Sequence, residues 1–297
     1  SISYFSTDIT FLFESIKILI LSHNNLSFFT LNKTINFVLV DLSFNNLKNF
    51  DHGKYFSSTN VVINNNNINQ TGIINGVIWL AQNNNIEEIA CIPHLFQFRL
   101  TIINLSNNYI KFLKSYCFYI SDIALNQYIL NNNQISKIER YAFYKFINLF
   151  ELDLSVNNLS YIDSYVFYDL KSLGYLNLSF NIFEIIDKNL TLFLNNLIIF
   201  DLSHNKIKFI ENTAFSDFNY MVKLYLNDNL FDQLENETLI NLESIKDIYI
   251  SKQIFLNQIN ILNIKNSFKP KLSRHVLVYR FYESVNFIHP KMNQSTL

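Results

Sequence analysis

The sequence predicts an α/β solenoid, a horseshoe with a parallel β-sheet on its concave face and loops and short helical turns on its convex face. Three observations predict it. One apolar frame, L-x-x-L-x-L-x-x-N-x-L, recurs along most of the chain. Each copy of the frame opens with a short stretch in which apolar and polar residues alternate, the signature of a half-buried strand. The chain also contains only 4 Gly and 3 Pro in 297 residues, well below the roughly 7% and 5% of ordinary proteins, so something else turns it.

The frame Asn falls at Asn24, Asn45, Asn66, Asn84, Asn108, Asn133, Asn157, Asn181, Asn205 and Asn229, with a spacing that settles at 24 residues from Asn133 onward. A further copy, IKDIYISKQIF, keeps the register but carries Gln253 in the Asn slot. The apolar slots follow the same frame, as in Leu149, Leu152, Leu154 and Leu159, and again in Leu197, Phe200, Leu202 and Ile207. Recurrence of this kind marks stacked units, each too small to bury its own apolar face.

Within a copy, Leu152 and Leu154 face one side while Asp153 and Ser155 face the other, which is one strand of period two. Stacked copies join such strands into a parallel sheet at about 4.8 Å per strand. The second half of a copy, such as SKIERYAFYKFIN or KFIENTAFSDFNY, spaces its apolar residues irregularly by three and four and predicts a returning arc of loop or short helical turn. Where strand gives way to arc, buried backbone groups lack sheet partners and need hydrogen bonds. An amide side chain offers both donor and acceptor, so the frame Asn is expected to let the chain turn without Gly or Pro and to form a structural ladder from copy to copy.

These copies resemble the leucine-rich repeat family, and within it the class typical of animal extracellular proteins such as Toll-type receptors, Slit-like guidance proteins and chaoptin-like adhesion proteins. The resemblance rests on the 24-residue copies, on Ile138, Ile162, Ile186 and Ile210 in one slot, and on the pairs Ala142-Phe143, Val166-Phe167 and Ala214-Phe215. It spans residues 16–255 as about eleven copies, leaving 1–15 as an N-terminal cap or partial repeat and 256–297 as a divergent C-terminal cap or stub. The family's cysteine-rich end caps have no counterpart in either segment, and neither a signalling domain nor a membrane span is expected within these residues. Starting at Ser1 rather than Met, the chain is expected to be a mature form or a fragment.

Composition narrows the function. Charges nearly balance, with 23 basic and 24 acidic residues, so no global field points to nucleic acid or an anionic membrane. Polar residues interrupt every apolar run before 18 residues, so no membrane span is expected within the chain. No phosphate-cradling glycine loop, zinc-binding H-E-x-x-H or nucleophile triad is present, and no cofactor, metal or enzymatic activity is expected. The resemblance implies recognition of a protein, or of a microbial or matrix ligand, by an extracellular module, a receptor ectodomain or a secreted protein. Competing expectations are an adhesion protein that self-associates, for instance as a homodimer, and an intracellular scaffold.

For such a family the contact surface is the concave face, and the variable positions of the frame supply its candidates: Phe44, Asp153, Val156, Tyr175, Phe180, Asp201, His204, Tyr225, Asp228, Tyr249 and Lys252. Aromatics there suit a partner because Tyr combines a large contact area with a polar tip. Asp41, Asp153 and Asp201 share one slot, but Asn177 separates the last two, and a solvated strand position is the expectation over paired-carboxylate hydrolysis. Cys117 takes the slot of Ala142 and Ala214 and is expected to be a small buried thiol; a disulfide to Cys91 on the preceding arc is the alternative if their Cα atoms lie within about 7 Å. Candidate N-glycosylation sites are Asn25, Asn32, Asn69, Asn104, Asn158, Asn177, Asn189, Asn236 and Asn293, each the Asn of an N-x-S/T sequon. Sugars on Asn104 and Asn177 would obstruct the concave face. The basic KPKLSRHVLVYR stretch is expected to be part of the C-terminal cap.

Overall fold

A computed structural model describes residues 2–6, 16–30, 35–50, 56–70, 76–91, 100–117, 124–232, 236–239, 242 and 244–251. Its centre is an 11-stranded sheet in which strands follow one another in chain order, from Ile18–Ile20 at one edge to Asp247–Tyr249 at the other. All of the neighbouring strands pair in parallel, and matching slots stand opposite each other: Leu152 pairs with Leu176, Leu176 with Phe200, and Phe200 with Leu224. Most of these strands are only three residues long because one buried residue, flanked by two that face outward, is all that each copy contributes. The predicted α/β solenoid with its parallel sheet is the observed fold.

The core runs lengthwise beneath the sheet. Leu154, Leu178, Leu202 and Leu226 are fully buried in successive copies, as are Leu159, Ile207 and their equivalents. Behind them the arcs add a second apolar row, Phe143, Phe167 and Phe215, so the small-residue-plus-Phe pairs of the sequence mark where each arc folds back onto the sheet. Trp79 and Tyr128 occupy the Leu slot of their copies and are buried; burial pushes the Tyr128 hydroxyl well above its ordinary range because the ionised form would lose its water. The convex side carries short pieces only, among them a 3-10 turn at Ser164–Val166 and helices at Lys188–Thr191 and Asn236–Leu239. Asp163 and Asp187 cap the first two by accepting from the backbone N–H of Tyr165 and Leu190, which would otherwise have no partner. Two-residue ladders, Phe112–Leu113 with Lys137–Ile138 and Ile185–Ile186 with Phe209–Ile210, run along the flank.

Between sheet and arc, the frame Asn side chains join the copies. Asn157 Nδ2 donates to the carbonyls of Leu154 and Ser155 in its own copy and to Leu130 in the preceding one, at 3.0 to 3.1 Å. Its Oδ1 accepts from Ile135 N–H at 2.8 Å. Asn181 repeats the set one copy later with Leu154, Leu178, Ser179 and the N–H of Leu159, and Asn229 does so near the other end. At the first copy, Asn24 Oδ1 accepts from Ile2 N–H.

The turn itself is made one residue earlier. His23, Phe44, Asn65, Asn83, Asn107, Asn132, Val156, Phe180, His204 and Asp228 all have positive φ, between 53° and 57°, and each precedes a frame Asn. Sequence reasoning credits the Asn with turning the chain; the structure divides the task, the preceding residue taking the left-handed conformation while the Asn binds the groups that the turn exposes. Asn tolerates this conformation, but a β-branched residue is strained there. Replacing Val156 by Asn is therefore expected to stabilise the chain by about 1 kcal/mol, read as a higher urea midpoint at unchanged slope.

One expectation is corrected. Cys117 is buried, but not as a thiol: its sulfur is bonded to that of Cys91, with the two Cα atoms 4.3 Å apart. Stacking places equivalent points of adjacent arcs side by side, which brings residues distant in sequence within bonding distance. The bond closes a loop with a sequence separation of 26 and so joins neighbouring copies covalently, the kind of cross-link that restricts the unfolded chain.

Candidate functional site

Each strand presents two outward side chains, and the registered pairing lines them up in two lanes across the concave sheet. One lane runs Gln127, Glu151, Tyr175, Ile199, Lys223, Asp247. The other runs Ile129, Asp153, Asn177, Asp201, Tyr225, Tyr249. Along the rim where the strands end, the left-handed residues form a third line.

The second lane is partly structural. Asp201 Oδ1 accepts from both the N–H and the hydroxyl of Ser203, and Asp41 with Ser43, Asn104 with Ser106 and Asn177 with Ser179 repeat the arrangement. Asp153 accepts from Ser155 N–H in the same way and is buried, 8% exposed. Of the candidates read from sequence, Asp153 and Tyr249 are buried and so are not open contact residues. Asn177 is 5% exposed, so the folded face leaves no room for a sugar there, while Asn104 is half-buried.

Tyr175 stands between these carboxylates. Burial, and then the negative charges of Asp153, Asp201 and Glu151, push its hydroxyl well above the ordinary tyrosine range. Burial raises Asp201 against the lowering effect of its Ser203 bonds, and burial together with the charge of Asp153 raises Glu151. Crowded carboxylates on a partly desolvated face hold their protons more tightly than in water.

The rest of the face is a set of fixed aromatic surfaces. Tyr225 stacks on Tyr249 with ring centroids 4.2 Å apart, and Phe180 on His204 at 4.0 Å. His204 Nε2 lies 3.2 Å from Asp228 Oδ2, continuing the rim line by one more copy. Phe180 and Val156 are exposed, and Phe44 is exposed while stacking on His23 at 4.3 Å. Exposed Phe150, next to the Glu151 strand, lays its ring over Gly174, where a Cβ would come within 2.3 Å of it. Lys252 lies outside the described residues, as do Asn32 and Asn293.

Sequence reasoning missed the other half of the face. In the early copies the outward positions are largely aliphatic: Ile18 and Ile20 are exposed, and Ile78, Leu80 and Ile102 are half-buried. The signal was available in the I-L-I and I-W-L wording of those strands, whose outer residues are as apolar as the inner one. The concave surface therefore changes from aliphatic to acidic and aromatic along its length. Among the described residues no group of three His, Cys, Asp or Glu side chains is placed to hold a metal, and no helix is long and apolar enough to cross a membrane.

Against known proteins, a family model described as leucine rich repeat matches residues 124–183. No curated protein sequence matches. Among solved structures, the Toll–Spätzle complex of Drosophila superposes with a TM-score of 0.73 at 18% identity, covering 90% of this chain and 38% of that one. The TLR13–ssRNA13 complex superposes with a TM-score of 0.54 at 23% identity, covering 66% of this chain and 29% of that one. This chain thus spans well under half the length of either. The repeat frame and the match over residues 124–183 mark leucine-rich repeats in this chain, and its solenoid has the fold of these Toll-type structures.

Proposed function

We propose that the chain is a recognition module, extracellular as a receptor part or a secreted protein, that binds a macromolecular partner on its concave face without bond chemistry. The observation that carries this reading is the rigid aromatic surface of the later copies, where exposed Phe180 is held against His204 and half-buried Tyr225 against the buried ring of Tyr249. Rings already held in place lose little freedom on binding, and aromatic anchors of this kind dominate interface energies.

A protein partner suits the face better than RNA. The TLR13 structure holds a single-stranded RNA, but phosphates on this surface would meet Glu151, Asp201, Asp228 and Asp247 with Lys223 as the cation among them, which is unfavourable for a polyanion. The Drosophila Toll structure holds Spätzle, and a proteinaceous ligand is the closer precedent.

Binding is tested with the purified chain against proteins captured from its own source fluid, comparing Phe180→Ala and Tyr225→Ala with Tyr220→Ala on an arc. The concave variants are expected to weaken the captured complex by about 2 kcal/mol, roughly thirty-fold, as central hot spots do. Equal affinity of all three variants would move the contact off the concave face.

A further inference from the structure

On the flank of the solenoid, away from the sheet lanes, lies a groove of about 380 Å³ between the copies of Asn157 and Asn205, within the roughly 300 to 1,000 Å³ of ligand clefts. Its walls are Ile162, Ile182 and Ile185 with the ring of Tyr161, and Glu184 and Lys206 stand among them. Tyr161 and Ile185 are 59% and 57% exposed, an apolar patch that a soluble chain is expected to cover.

Asn158 does not itself line the groove, but the repeat sets it one copy before Ile182, in the groove's first copy. It occupies the same repeat slot as Ile182 and Lys206, which both line the groove, and Ser160, two residues on, lines it as well. Asn158 is exposed, and its backbone N–H is bound to Ile135 O, so the peptide is held firmly while the residue stays open to solvent. Three other sequons differ, since the Asn104 and Asn177 side chains are bound to Ser106 and Ser179 and that of Asn189 contacts Asp187, while Asn25 shares the slot and exposure of Asn158 but lies far from the groove's copies.

We propose that Asn158 carries an N-linked glycan whose first sugars lie in this groove. The inference rests on the extracellular reading, because the modification needs the secretory pathway. In the transfer, the Asn158 amide nitrogen attacks the anomeric carbon of a polyprenyl-diphosphate-linked oligosaccharide. A C–N bond forms, the C–O bond to the diphosphate breaks, the diphosphate leaves with the electron pair, and the amide gives up one proton to the transferase. The C–H faces of the sugar rings then cover Tyr161 and the isoleucines, and their hydroxyls meet Glu184 and Lys206.

Glycopeptide mapping of the chain from its own source is combined with tyrosine nitration by tetranitromethane. Asn158 is expected to be occupied, and Tyr161 to be nitrated at least about five-fold more slowly than after enzymatic removal of the sugar or in Ser160→Ala made in a secretory host. Tyr220, 61% exposed and remote from the groove, serves as the reference and should be unchanged. Sugar on any of the other eight sequons with Asn158 bare overturns this assignment and leaves the extracellular reading standing. All nine sequons bare overturns both, and an occupied Asn158 with Tyr161 equally reactive in both forms overturns the docking in the groove.

Discussion

Asn157→Ala is expected to destabilise the chain by about 3 to 5 kcal/mol, while Asn158→Ala, one residue on, should change stability by less than about 0.5 kcal/mol. The contrast follows from what each amide holds. Asn157 is buried and satisfies three carbonyls and one N–H from two copies. Truncation leaves the groups of Leu130, Leu154, Ser155 and Ile135 buried without that partner, and each such loss costs about 1 kcal/mol or more. Because a solenoid is held by nearest-neighbour interfaces, the damage is expected to be local first. Hydrogen exchange should show faster exchange at Ile135 and at the sheet amides of copies six to eight, with the distant Asn45 and Asn229 copies protected as before. A uniform rise across the whole array, or a loss below 1 kcal/mol by urea unfolding, would show that the ladder is not what couples the copies.

The ladder was legible in the sequence because period and chemistry coincide: the same amide returns at the same place in the frame, and only one physical role explains that. The positive-φ position beside it was not legible. Its occupants, among them Val156, Phe180, His204 and Asp228, share no chemistry, since the backbone conformation is imposed by the stacking around it and not chosen by the side chain. The Cys91–Cys117 bond was hidden for a related reason. It depends on two arcs lying side by side, and the period gives their order but not the distance between particular atoms. The concave lanes were half legible: alternation identifies which residues face outward, as it did for Tyr175 and Tyr225, but not which of them end up buried, as Asp153 and Tyr249 do. The flank groove escaped because its walls come from three copies, and no single copy carries a mark of it.

The arcs are the place where sequence variation and packing meet most directly, and Phe218 tests how. It is buried between two rings, edge to face with Phe200 from the sheet at 6.0 Å and stacked on Phe215 from its own arc at 5.7 Å. It therefore joins the sheet core to the arc core within one copy. Phe218→Ala is expected to cost about 3 to 5 kcal/mol, the transfer energy of the ring together with the void it leaves. Phe218→Leu should cost only about 1 to 1.5 kcal/mol. The same slot holds Leu170 and Leu194 in the two preceding copies, and both are buried there, so the arc accommodates Leu without a new backbone. If the slot is defined by volume alone, the two variants will separate as stated, with the Leu form retaining a single cooperative transition. Should Phe218→Leu lose as much as Phe218→Ala, the aromatic contacts with Phe200 and Phe215 carry the stability of this copy. The Phe-rich composition would then be a requirement of how these arcs pack and not a tolerated substitution for leucine.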